Sequence, residues 1–138
     1  MIPVVIVGTL GCLGIAAVIA VFFGLAAIGY MVSGGPSDVD GDLAYGDALF
    51  GRGQFSDTYS YDWSSGERVV IELTSPDFDT VLVVRTPSGR EITNDDEGYG
   101  NLNSRIDMVT PESGGYQVIA TSYRPQATGR YHLNVQQP

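Results

Sequence analysis

The sequence predicts an all-β fold, an antiparallel jelly-roll-like β-sandwich, preceded by one N-terminal transmembrane α-helix. Three observations predict it. From Val4 to Val32 the chain carries no charged side chain. Beyond Ser33, apolar residues alternate with polar ones in short runs. Between those runs stand clusters of Gly, Pro, Ser, Asn and Asp, the residues that form turns. Helical periodicity is absent from this second part.

Residues 1–32 are read as the transmembrane helix. At about 1.5 Å per residue the uncharged run would extend roughly 43 Å, more than the ~30 Å hydrocarbon core of a bilayer. A cleaved signal peptide wants a basic leader and an apolar core of about 7–15 residues. Here no Lys or Arg precedes the run, and the run is about twice too long for that. A lipoprotein signal fits no better, because Thr9 stands where a leucine is expected ahead of Cys12. The retained span is therefore expected. The first charges after it are acidic, Asp38, Asp40, Asp42 and Asp47, and the first basic residue is Arg52. Basic residues mark the cytoplasmic flank, so the N-terminus is expected in the cytoplasm and the remainder across the inner membrane, periplasmic or extracellular. Gly8, Cys12, Ala16, Ala20 and Gly24 recur every four positions, a stripe of small residues that lets membrane helices approach closely.

Residues 33–42 are read as a linker, opening with Ser33-Gly34-Gly35-Pro36-Ser37 and continuing into the acidic stretch. Asp38-Val39-Asp40-Gly41-Asp42 has the opening of a calcium-binding EF-hand loop. Leu43 and Leu49 stand where that loop needs Gly and Glu, so the stretch is read as solvated linker.

Residues 43–138 are read as the sandwich. Tyr59, Tyr61 and Trp63 alternate with Ser60 and Asp62. Val69, Ile71 and Leu73 line one side of the next run, and Val81–Val84 is apolar on both sides. Ile106 and Met108, then Tyr116, Val118 and Ala120, and finally Tyr131, Leu133 and Val135 complete the pattern. A period of two means strands with one face inward. Seven or eight such strands imply an antiparallel sandwich or jelly roll.

Charge and composition then exclude several functions. The formal net charge is −9, and all seven basic residues are Arg. Such a surface repels phosphate backbones, so no nucleic-acid partner is expected. Cys12 is the one cysteine, so the second part has no disulfide and must be held by its core, or by its core and a metal. His132 is the one histidine and points outward beside Arg130 and Asn134. Triads and zinc sites therefore lack their parts, and no enzyme is expected. Asn94-Asp95-Asp96-Glu97 is the best ligand candidate, because calcium takes six to eight oxygens from carboxylates and carbonyls in turns. The same residues are also ordinary turn formers. Tyr45, Phe50, Phe55, Tyr99 and Tyr123 are candidate protein contacts, with core packing the alternative for Tyr45 and Phe50.

Several motifs in register resemble one family. Phe78-Asp79-Thr80-Val81-Leu82, Thr86-Pro87-Ser88-Gly89, Asn94-Asp95-Asp96 and Asn103-Ser104-Arg105-Ile106 look like the bacterial pre-peptidase C-terminal domain. Pro111-to-Tyr116 and Thr128-Gly129-Arg130-Tyr131 extend the resemblance, which covers about residues 43–136. It implies a jelly-roll sandwich, similar to collagen-binding domains of bacterial collagenases, some of which bind calcium. It also implies that Asp79, Asn94, Asp95, Asp96 and Asn103 converge, with calcium as the cofactor to consider. No peptidase is attached here, so the resemblance says nothing of proteolysis.

Together these readings lead to a non-catalytic, single-span accessory subunit of a larger membrane complex, respiratory or photosynthetic complexes being examples. Its partners would be the lipid bilayer and other membrane protein subunits, with the outer sandwich making protein contacts. The alternative is an envelope-tethered adhesion module or carbohydrate- or collagen-binding module. A filament subunit ranks below both, because no prepilin-like processing site with a basic leader is present.

Overall fold

A computed structural model of the chain describes residues 35–95 and 101–138. All of them belong to the unit Met31–Pro138. The membrane span Val4–Val32, its small-residue stripe, Asp96, Glu97 and Tyr99 lie outside the described residues. Among those described, no helix is long and apolar enough to cross a membrane.

Nine strands are described: β1 (Asp38–Leu43), β2 (Ala48–Phe50), β3 (Gln54–Trp63), β4 (Arg68–Thr74), β5 (Thr80–Arg85), β6 (Glu91–Asn94), β7 (Ser104–Val109), β8 (Gly114–Ser122) and β9 (Gly129–Gln136). They form two antiparallel sheets, ordered β1-β9-β4-β7 and β2-β3-β8-β5-β6. The alternation that named the longer strands is the alternation that builds the core. Val69, Ile71 and Leu73 of β4 and Tyr131, Leu133 and Val135 of β9 face Tyr61 and Trp63 of β3 and Tyr116, Val118 and Ala120 of β8, all buried. Burying each Val or Leu contributes roughly 1.5–3 kcal/mol, so this inner layer is the main source of stability. Tyr61, Trp63 and Tyr116 stack in a row with ring centroids 5.0 Å apart at each step.

The linker expectation is corrected at residues 38–42. These pair with β9 along Asp38↔Asn134 to Leu43↔Gly129 and form the first strand of the sandwich. The physical reason is period two. Val39, Gly41 and Leu43 turn inward, while Asp38, Asp40 and Asp42 turn to solvent. Gly41 is required by space: a Cβ there would overlap the ring of Tyr131.

At the seam between β1 and β3 an acid faces inward. The Tyr131 hydroxyl donates to Asp57 Oδ2 at 2.6 Å, and the Tyr59 hydroxyl lies 2.5 Å from that of Tyr131. Since Tyr131 gives its proton to the carboxylate, Tyr59 must donate to Tyr131. Burial pushes the Asp57 carboxyl above the usual range, with the Tyr131 bond opposing and Asp47 and Asp42 adding to the rise. Tyr61, whose hydroxyl donates to Pro36 O at 2.7 Å, is pushed up to about 12 by burial and by neighbouring Tyr59.

Candidate functional site

One end of the sandwich gathers the loops that the sequence singled out. At its centre is Thr80, buried at the start of β5. Its hydroxyl lies 2.7 Å from the Ser104 hydroxyl and 2.9 Å from Leu102 O, and its N–H donates to Leu102 O at 3.1 Å. Ser104 Oγ is also 3.0 Å from Thr80 O and 3.2 Å from Asp95 O. These contacts tie the loop between β4 and β5 to the two ends of the loop between β6 and β7. Tyr123 N donates to Asp79 O at 2.9 Å, which brings in the loop between β8 and β9. That loop reaches the β2–β3 turn through Gln126 N to Gly53 O at 3.2 Å and Gln54 Nε2 to Tyr123 O at 3.4 Å.

Asp79, Asn94, Asp95 and Asn103 therefore do stand on loops that meet. The two asparagines bond backbone amides of neighbouring segments. Asn94 Oδ1 accepts from Arg105 N at 3.3 Å, and Asn103 Oδ1 accepts from Ser75 N at 3.4 Å. Asn101 Oδ1 accepts from Asn103 N at 3.0 Å, a side-chain-closed turn. Among the described residues no group of three or more His, Cys, Asp or Glu is placed to hold a metal. Calcium wants six to eight oxygens, and Asp96, the fifth member of the set, lies outside the described residues.

The same end carries several exposed apolar side chains. Four of the five strongly exposed large apolar side chains among the described residues are Tyr45, Leu49, Leu102 and Tyr123, at 79%, 69%, 55% and 60% exposure. The backbone contacts above connect their positions. Leu102 is bonded to Thr80, Asp79 to Tyr123, and Tyr123 to Gln54. Next to Gln54 is Phe55, which pairs with Leu49 in the ladder and packs edge-on against Tyr45 at 5.2 Å between centroids. Phe55 is buried and Phe50 half-buried, so of the five aromatic candidates Tyr45 and Tyr123 are exposed and Tyr99 lies outside the described residues. Leu49 and Leu102 were missed. Each is a single leucine in a polar stretch, and only the meeting of the loops brings it to the same end as the tyrosines.

This fold has counterparts among solved structures. The pre-peptidase C-terminal domain of a collagenase from Bacillus anthracis superposes with a TM-score of 0.53 at 17% identity, covering 72% of this chain and 87% of that one. PliG of Salmonella Typhimurium, a periplasmic lysozyme inhibitor of g-type lysozyme, gives 0.51 at 16% identity, over 73% and 86% of the two chains. A mutant PliG from Escherichia coli gives 0.51 at 16% identity, over 78% and 91%. The likeness is one of fold. It bears out the sandwich expected from the resemblance and reaches no further. The chain matches no protein-family profile and no curated protein.

His132 lies on the outer face of the four-stranded sheet, opposite Thr74 in the ladder. As expected it points outward, and its ring sits between Asp38 and Asp40 of β1. A shallow depression of ≈ 740 Å³ opens beside it, lined among others by Asp42, Thr74, Arg130 and Tyr131.

Proposed function

We propose that this chain is a membrane-tethered, non-catalytic β-sandwich binding module whose loop end, carrying Tyr45, Leu49, Leu102 and Tyr123, docks on another protein. The observation that carries the reading is the exposure of these four apolar side chains on loops and strand ends that meet at one end of the sandwich. Aromatic side chains are favoured anchors at protein interfaces, and clustered exposed apolar side chains mark interaction sites. The fold supports it indirectly, since PliG is an inhibitor that acts on another protein.

The tether is the Val4–Val32 run, with Gly8, Cys12, Ala16, Ala20 and Gly24 facing helices of the partner. In this reading the protein is an accessory subunit of a larger membrane assembly, with the sandwich across the inner membrane from the cytoplasm. No catalytic step is assigned to it.

The test is capture from native membranes. The full chain, solubilised in mild detergent, should migrate as part of a particle larger than itself. A photo-crosslinking side chain placed at Tyr45 or Tyr123 should join it to one defined protein, whereas one placed at Ser60 on β3 should not. The double substitution Leu49→Asp with Tyr123→Asp should abolish the crosslink and leave the melting temperature within a few degrees of the parent, because both side chains are exposed. A lone particle with no site-dependent crosslink would reject the reading.

A further inference from the structure

His132 is the one histidine of the chain, and both of its ring nitrogens meet carboxylates. Nδ1 lies 2.8 Å from Asp40 Oδ1, and Nε2 lies 2.8 Å from Asp38 Oδ1. A neutral imidazole has one N–H donor and one lone-pair acceptor, and an ionised carboxylate has only acceptors. Both bonds can exist together only when the ring is the imidazolium. We propose that this imidazolium is a latch fastening β1 to β9, and that loss of its ring proton releases β1 while the rest of the sandwich stays paired. The inference is independent of the binding role of the loop end.

The architecture makes such a release local. β1 stands at the edge of its sheet, and β9 keeps its own ladder to β4 from Val70↔Gln136 to Thr74↔His132. What holds β1 is the ladder to β9, the inward Val39 and Leu43, the bond from Val135 N to Ser37 O at 2.8 Å, and the His132 clamp. The groups facing the ring are few. From β1 come Asp38, Asp40 and Asp42. From β9 comes Arg130, opposite Asp42 in the ladder. From β4 comes Thr74, directly opposite His132, with Glu72 two residues along and paired to Arg105 of β7. Without the ring proton one aspartate loses its donor, and the nearby cation, Arg130, is already paired with Asp77 of the β4–β5 loop.

The proton is exchangeable in the working range of a histidine. The ring is 43% exposed beside an open depression, so water reaches it. The Asp40 bond chiefly, with the fields of Asp38 and Asp40, holds its pKa above the usual 6.5, against a smaller opposing effect of burial. A raised histidine pKa means the contribution to folding is complete below about 6.5 and is lost as pH rises through the folded value.

The experiment uses the full chain in mild detergent with labelled histidine, whose single ring gives a single titration. Between about pH 5.5 and 8.5 the ring should titrate with a midpoint above 6.5. Through the same midpoint, amide exchange in β1, corrected for intrinsic base catalysis, should rise several-fold relative to β3. Asp40→Asn should lower the midpoint. His132→Gln should leave β1 exchanging fast, with no pH-dependent step. A midpoint at or below 6.5, or a β1-to-β3 ratio that stays flat through the titration, would overturn the latch. Either result leaves the crosslinking test of the loop end unaffected.

Discussion

Gly41 and Tyr131 show how closely single residues are matched at the β1–β3 seam. The tyrosine ring lies against the glycine backbone, and its hydroxyl is fixed by Asp57 and Tyr59. Gly41→Ala would force the ring aside and break both hydroxyl bonds. Overpacking of this kind costs about 1–3 kcal/mol, which denaturant unfolding of the variant should show as a lowered midpoint with unchanged slope. Asp57 behaves oppositely to most acids. Its folded pKa is raised above 3.8 by burial, so the fold disfavours the carboxylate. That penalty is absent below the unfolded value and grows as pH rises through the folded one. Asp57→Asn removes the charge and keeps an acceptor for Tyr131, so its melting temperature at pH 7 should equal or exceed the parent's. A clear loss at pH 7 would show that the charge itself holds the seam.

Among the elements, those with branched or aromatic residues at every second position were legible from sequence, and the reason is burial. Val69, Ile71 and Leu73 advertise β4 because each enters the core, and Tyr131, Leu133 and Val135 do the same for β9. β1 has the same period, but three aspartates on its outer face gave it the composition of a linker. β2 has three residues and β6 four, too few for a periodic signal. The loop end was half legible. Tyr45 and Tyr123 stand out as aromatics in polar loops, and the Asn94–Asp95 turn as a ligand candidate. Thr80 and Ser104, which join the loops, look like any other Thr and Ser until the strands are aligned. Their importance predicts a mutational effect. Thr80→Val keeps the shape and removes the hydroxyl bonds to Ser104 and Leu102, each of which keeps another partner, at a cost of about 0.5–1.5 kcal/mol per bond lost. For a domain near 100 residues, each kcal/mol should lower the melting temperature by about 4–8 °C, which calorimetry would resolve.

At the scale of the whole molecule, the described domain is a sandwich without disulfides that relies on one aromatic and aliphatic core. The loop-end asparagines already link neighbouring segments through backbone amides, Asn94 to Arg105 and Asn103 to Ser75. Melting of the chain should therefore be the same in excess EGTA as in millimolar calcium. A rise of several degrees with calcium would place the ion in the loops after all, with Asp96 and Glu97 supplying the missing oxygens. The acidic balance is spread over the same domain, since every Asp, Glu and Arg of the sequence lies beyond residue 37. A basic or neutral docking surface on the partner suits it better than an acidic one.

The aromatic row Tyr61–Trp63–Tyr116 holds the single tryptophan of the chain, 2% exposed, with an indole N–H that meets no acceptor among the described residues. An indole so placed emits at short wavelength and collects excitation from the phenols stacked on either side. Its fluorescence therefore records the integrity of this one domain, even in crude membranes whose other signals are masked by selective labelling. A red shift on heating or titration would mark the moment water first enters between the sheets.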